Sequence, residues 1–365
     1  MQNLDLEKLF NAIILKKFKQ NGVLKLNEAK QHCKLLSVVI PAYNAAKFLA
    51  KCVNSIANQT YENIEIVIVN NGSQDNTPEL CEELEAKYNA RKFKIVNLEP
   101  NQGINYARRT GVENASGEYI AFIDSDDYLE PETYETAIKI LEENNCDVVQ
   151  FGIKLVDLDG KFIDEWARHD MTFNNSQEIY KYFLTDKTSP TWNVWDKVYK
   201  RSLFEDITWL KISALEDYCV SAQIFAKANK LITINKFLYN YVQRSDSTGN
   251  LQKVTKAKLD DMLMAQDLVM NLTGQKFPEL LPEALVREMG AFASFSSAFW
   301  PEVSQTIRSS YFNMRGTLKA CGIEFKIKNA ANRKDLIHVH FLAHYPRFYK
   351  FYLTTRLKIH ALTGI

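Results

Sequence analysis

Between Leu35 and Phe151 the chain alternates short apolar runs with longer stretches whose apolar residues recur every three or four positions. The runs Leu35–Ile40, Ile64–Val69, Phe93–Val96, Ile120–Ile123 and Asp147–Phe151 read as buried strands, bounded by Pro, Asn, Gly or Asp. Leu49, Cys52, Val53 and Ile56 trace one face of a helix between them. So do Cys81, Leu84 and Tyr88, and then Tyr134, Ala137, Ile138 and Leu141, with Thr77-Pro78 and Pro131 as helix starts. A further helix carries Arg108 and Arg109. Strands alternating with helices predict an α/β fold, a mostly parallel central sheet flanked by helices, with ligands at the carboxyl ends of the strands. Leu6, Leu9, Phe10, Ile13, Ile14 and Phe18 predict a helix over 5–22 ended by Gly22. Beyond Leu251, Leu259, Met262, Leu263 and Met270 predict a helical extension.

Composition narrows the class without choosing a function. With 365 residues, 46% hydrophobic and 24% charged, the chain can bury a large core. A net charge of +1 exerts no general pull on nucleic acid, and no nucleic-acid partner is expected. The six cysteines are scattered with no Cys-x-x-Cys spacing and no secretion signal before them, which points to free thiols in a reducing, cytoplasmic setting. No apolar run approaches the ~20 residues of a membrane-spanning helix.

The loops after the strands fall on one edge: Pro41 to Asn44, Asn70 to Asp75, Asn101 to Gly103, and Asp124 to Asp127. In the last, the apolar run stops at Asp124-Ser125-Asp126-Asp127, carboxylates that cannot be buried without a cationic companion. Such a cluster is either a solvated turn and helix cap or a hold for a hard divalent ion on a nucleotide's phosphates. There is no Gly-x-Gly-x-x-Gly after the first strand and no Gly-Lys-Ser/Thr loop, which argues against a dinucleotide fold or a phosphate loop.

The motif set resembles that of the family 2 glycosyltransferases, of GT-A fold, such as bacterial capsule, lipopolysaccharide and other glycan-type sugar transferases. It comprises Pro41-Ala42-Tyr43-Asn44, Gln59-Thr60-Tyr61-Glu62-Asn63-Ile64-Glu65-Ile66, Asn71-Gly72-Ser73 and Asn101-x-Gly103. It continues through Ala115-x-Gly117-Glu118-Tyr119-Ile120, Asp124-Ser125-Asp126-Asp127, Trp195-x-Lys197-x-Tyr199-Lys200 and Glu216-Asp217, in the family's order. The resemblance implies a GT-A domain over 35–250, with a nucleotide-binding half (35–159) and an acceptor half (160–250). A helical extension over 1–34 precedes it, and a helical region with a basic aromatic tail over 251–365 follows.

It further implies an inverting, metal-dependent transfer of a hexosyl or N-acetylhexosaminyl group from a nucleotide-sugar donor, a UDP-sugar by first expectation, to a glycan or lipid-linked acceptor. Asp124 and Asp126 are the expected anchors of Mn2+ or Mg2+. Pro41, Tyr43, Asn71, Arg108 and Ser125 are expected at the nucleotide, Asp217 as general base with Glu216 beside it, Trp192 and Trp195 at the acceptor, and Lys197 and Arg244 at the phosphates. Arg244 lies in Tyr239-x-Tyr241-x-x-Arg244-Ser245-x-Ser247-Thr248, which resembles a later family segment that closes over the diphosphate. The family usually has Asp-Asp where this chain has Asn70-Asn71, a departure that leaves room for a non-catalytic partner subunit of a glycan assembly complex. Trp192 and Trp195 suit either sugar stacking or a core. Over 336–365 there is no acid, and Arg347, Lys350, Arg356 and Lys358 mix with aromatic residues, as in a peripheral contact with an anionic membrane or in a terminal packing helix.

Overall fold

The computed structural model describes residues 34–186, 190–244 and 256–293, with Gln305, Arg308, Ser309, Phe312, His344 and Tyr345 beyond them. The expected N-terminal helix, the segment from Ser245 to Thr248 and all of the basic aromatic tail except His344 and Tyr345 lie outside the described residues.

The sheet grows outward from β1 (Leu36–Ala42), all of whose residues are buried. It pairs in parallel with β2 (Ile64–Asn71) on one side and β4 (Tyr119–Phe122) on the other, and β2 pairs in parallel with β3 (Lys92–Leu98). A strand covered on both faces needs a nearly continuous apolar run, which is why this half was readable. The register aligns the strand ends, Ala42 with Asn70 and Asn71 with Leu98, so the following loops converge on one edge. The second half is built on β6 (Val148–Val156), parallel to β10 (Leu231–Val242). Short antiparallel strands complete it: β5 (Tyr128–Leu129) and β8 (Met171–Phe173) on β10, and β7 (Phe162–Trp166) on β6. The halves are joined by β9 (Lys197–Lys200), antiparallel to both β4 and β6. The long pairings are thus the expected parallel ones, while β5, β7, β8 and β9 are too short to announce themselves by pattern.

Helices flank the sheet. In α1 (Leu49–Ala57) the buried residues include Leu49, Cys52, Val53 and Ile56, the face that the spacing predicts. The second helix, α2 (Thr77–Lys87), carries its proline in the first turn. In α3 (Ile104–Asn114) the inward face includes Asn105 and Arg108 rather than only apolar residues. It lies close to the sheet because Gly111 has no side chain: a Cβ there would stand 2.2 Å from Val39 Cγ1. Next come α4 (Thr133–Asn144), starting two residues after Pro131, and α5 (Ser176–Thr185), capped by Asn175 accepting from the Glu178 N–H at 2.9 Å. They are followed by α6 (Glu216–Phe225), α7 (Lys256–Lys276) and α8 (Leu281–Ala293). Cys52, Cys81, Cys146 and Cys219 are buried free thiols. Among the described residues no helix is long and apolar enough to cross a membrane.

Candidate active site

After β4 the chain makes a tight turn, the Asp127 N–H donating to the Asp124 carbonyl at 3.1 Å, and the three carboxylates separate into different jobs. Asp127 is buried and structural: it accepts from Tyr239 Oη at 2.6 Å and from the Val242 N–H at 2.8 Å, locking the turn to β10. Asp124, Ser125 and Asp126 stay half-buried. Asp124 accepts from Arg108 at 3.2 Å, and Asp126 pairs with Arg244 at 2.8 Å.

Arg108 organises what lies opposite. Its side chain is 2% exposed, and its second guanidinium nitrogen donates to Asp217 in the first turn of α6. Asp217 accepts a further bond from the Val194 N–H at 3.2 Å. One fork therefore spans the strand-end carboxylate and the carboxylate expected to act as base, the latter 109 residues from Arg108 in the chain. Burial works against the charge on Arg108, yet Asp217, Asp124 and Glu216 outweigh it and hold the guanidinium protonated. Burial pushes Asp124 up to about 7, with Arg108 opposing and Asp126 and Asp217 adding to the rise. Glu216 is likewise raised, first by burial and then by Asp217 beside it.

The other loops close around this pair. Pro41 is buried at the end of β1, while the Tyr43 ring is 48% exposed at the rim, open to a flat ligand rather than packed in the core. Asn44 ties the first loop to the second, its N–H donating to Ser73 Oγ at 3.0 Å and its Oδ1 accepting from the Gln74 N–H at 2.8 Å. Gly72 sits at φ +72, where a Cβ would lie 2.6 Å from Asn101 N.

The structure places several of the other expected site residues against protein partners. Asn71, expected to read the base, is 4% exposed and turned toward the third loop. Its amide donates to Asn101 Oδ1 at 3.3 Å and to the Gly103 carbonyl at 3.2 Å, and accepts from the Gln102 N–H at 3.0 Å. Asn70 likewise donates to Asn97 Oδ1 at 2.9 Å and accepts from the Ser73 N–H at 3.2 Å. A carboxylate has no donor for these acceptors, so the departure from the usual acid pair has a structural reason.

Arg108, expected at the base or phosphates, is committed to Asp124 and Asp217. Trp195, expected at the acceptor, is 6% exposed and packs between Tyr239 at 4.4 Å and Tyr241 at 5.4 Å, so it is core. Lys197, expected at the phosphates, is fully buried, its ammonium 2.5 Å from Asp196 and donating to the Asn193 carbonyl. Desolvation there lowers it to about 8. Arg244 does reach the carboxylate turn, but its partner is Asp126. Trp192 remains half-buried beside Asp217's neighbours, with its carbonyl accepting from Ser221 Oγ at 2.7 Å.

Two features had no pattern to reveal them. Arg168, Asp196 and Gln150 form a buried cluster with Lys197: Asp196 accepts from Arg168 at 2.6 Å and from Gln150 at 2.8 Å, behind the segment that carries Val194. Tyr239 donates to Asp127 while accepting from the Asp124 N–H at 3.2 Å. Only the Asp196-Lys197 adjacency offered a signal, and adjacent opposite charges are common on surfaces.

The resemblance also implies a divalent ion. Asp124 and Asp126 supply hard carboxylate oxygens on one turn, and among the described residues no group of three or more His, Cys, Asp or Glu side chains could enclose a metal. Such a donor pair fits an ion whose remaining ligands are phosphate and water oxygens, the usual habit of Mg2+.

The sequence model for "Glycosyl transferase family 2" matches residues 37–208, from β1 to just short of α6. Glycosyltransferase GlyG of Streptococcus pneumoniae is 32% identical over 224 residues, 58% of this chain and 72% of GlyG. Glycosyltransferase GlyA of the same species is 32% identical over 246 residues, 65% of this chain but only 35% of GlyA's own length. Among solved structures, TarS of Staphylococcus aureus in complex with UDP-GlcNAc is similar with a TM-score of 0.65 at 21% identity, over 90% of this chain and 92% of that one. The likeness extends to the GT-A arrangement of a central sheet flanked by helices.

Proposed function

The chain belongs to the family 2 glycosyltransferases, and on that premise we propose that it transfers a hexosyl or N-acetylhexosaminyl group from a UDP-sugar to a hydroxyl of a surface glycan or lipid-linked acceptor, with inversion. The observation that carries this reading is the Arg108 fork, which fixes the Asp124 turn and Asp217 relative to each other across the cleft edge. Catalysis of such a displacement requires a leaving-group site and a base held in one geometry.

In this reading Tyr43 at the rim lies against the nucleotide, with Pro41 and Ser125 framing it. Asp124 and Asp126 would hold Mn2+ or Mg2+, which would supply positive charge to the diphosphate leaving group. Arg244, beside Asp126, is placed to exchange its carboxylate for a phosphate oxygen. Asp217 takes the proton of the acceptor hydroxyl as its oxygen bonds to the anomeric carbon and the bond to the diphosphate breaks on the opposite face. One displacement inverts the configuration. Trp192, half-exposed near the base helix, offers an acceptor sugar its face. The description of TarS as a poly(ribitol-phosphate) beta-N-acetylglucosaminyltransferase, and its complexes with UDP-GlcNAc and UDP, support the choice of donor.

The test is to incubate the full chain with UDP-, GDP- and CDP-sugars and Mn2+ or Mg2+ and to follow nucleoside diphosphate release and thermal stabilisation. Slow release from a UDP-sugar without acceptor is expected, because water can replace the acceptor hydroxyl. No release and no stabilisation with any donor overturns the reading.

A further inference from the structure

The described part of the region beyond Lys256 is not an appendage to the sheet, for it grips the element that carries the base. Arg287 of α8 places its guanidinium 4.8 Å from the Trp192 ring, 5.1 Å from Phe183 and 5.3 Å from Tyr218. It also donates to the carbonyls of Phe183 at 2.7 Å and Leu184 at 3.3 Å, at the carboxyl end of α5, where the helix dipole favours a cation. The next residue, Glu288, is 2% exposed and accepts from Tyr218 Oη at 2.5 Å. Tyr218 directly follows Asp217. Upstream of the base, Asp261 of α7 accepts from the Ser213 N–H at 2.8 Å and from Ser213 Oγ at 2.7 Å, holding the loop that leads into α6.

Besides Arg108 of α3, two pieces of chain orient Asp217: the segment Trp192–Val194, whose Val194 N–H donates to it, and the first turn of α6, which bears it. They are cross-tied by the Ser221 hydroxyl donating to the Trp192 carbonyl. Arg287 contacts one aromatic ring from each piece, Trp192 and Tyr218, and Glu288 anchors the second. A planar guanidinium against several rings fixes their mutual spacing in a way that a flexible ammonium does not.

We propose that Arg287 and Glu288 are positioning residues for the transfer reaction, so that α7 and α8, which lie outside the matched family segment, form the rear wall of the acceptor side. The proposal rests on Asp217 being the base. Neither residue touches the Asp124–Asp126 turn or the Tyr43 rim, so nucleotide binding is independent of them.

The experiment compares wild type, Arg287→Met, Arg287→Lys and Tyr218→Phe by calorimetric affinity for UDP with Mn2+ and by UDP release from the best donor. For Arg287→Met, UDP affinity within about twofold of wild type and turnover lower by about tenfold or more are expected, since each 1.4 kcal/mol of lost orientation is a factor of ten. Arg287→Lys should recover part of the loss. Tyr218→Phe removes one hydroxyl and serves if Arg287→Met does not fold; it should lower turnover by about threefold or more with UDP affinity unchanged. Unchanged turnover, or affinity and turnover falling together, overturns the positioning role. A wild-type protein that neither binds UDP nor releases it from any donor overturns instead the function on which the role rests.

Discussion

Arg108 shows how little of a side chain's task is carried by its type. A buried guanidinium needs anionic partners, and here it has two, so removing any member of the Asp124–Arg108–Asp217 set leaves a charge stranded. Asp217 is in turn oriented by two donors, Arg108 and the Val194 N–H. Asp217→Asn keeps an oxygen to accept a hydrogen bond but cannot take a proton from an acceptor. We expect turnover to fall by about 10²–10⁴-fold with UDP affinity near wild type, and the melting midpoint to drop because Arg108 keeps only Asp124 as an anionic partner, as read by UDP release, calorimetry and thermal melting. Near-normal turnover would move the base elsewhere, with Glu216 the first residue to examine.

The first three strand-end loops are a single cross-braced unit rather than separate turns. Asn44 joins the first to the second, Asn70 holds the second against β3, and Asn71 joins it to the third, while Gly72 allows the close approach. The bracing by Asn70 and Asn71 needs amides because each of these two side chains both donates to oxygen and accepts from an N–H. Asn71→Asp, the substitution that restores the usual family acid, places a carboxylate against Asn101 Oδ1 and the Gly103 carbonyl. It should destabilise the protein by about 1–3 kcal/mol, seen as a lower midpoint in thermal or urea unfolding. A variant as stable as wild type would mean that the loop amides are interchangeable with acids.

Across the whole chain, stability and catalysis meet at the buried carboxyl of Glu288. Burial pushes it from its ordinary value of 4.5 up to about 7, with the Tyr218 hydrogen bond and Arg287 opposing the rise. The folded state therefore keeps this proton over a window in which the unfolded chain releases it. Between about pH 4.5 and pH 7 folding binds more protons than unfolding, so this group's contribution to stability falls as pH rises through that window and levels off above it. Glu288→Gln keeps an acceptor for Tyr218 and removes the titration. Its melting midpoint should gain on wild type between pH 5 and pH 8, by the equivalent of up to about 3 kcal/mol. A gap between the two proteins that does not change with pH would show that Glu288 does not titrate in that range.

The amino-acid order alone determined the first half of the sheet, because parallel strands covered on both faces must be written as unbroken apolar runs, and the helices between them as one-sided stripes. It also located the carboxylate turn and Glu216-Asp217, since those motifs are contiguous in the chain. The short strands β5, β8 and β9 left no such trace, each owing its existence to neighbours distant in sequence, and the mostly exposed β7, a hairpin partner of β6, has no buried face to mark it. The same holds for partners: Arg108 with Asp217, Trp195 inside the Tyr239–Tyr241 column, Lys197 against Asp196 at full burial, and Arg287 over Trp192. Hydrophobic periodicity is a local signal that decides which face of an element turns inward. Which polar group a buried charge finds there is decided only when the fold packs separate segments together.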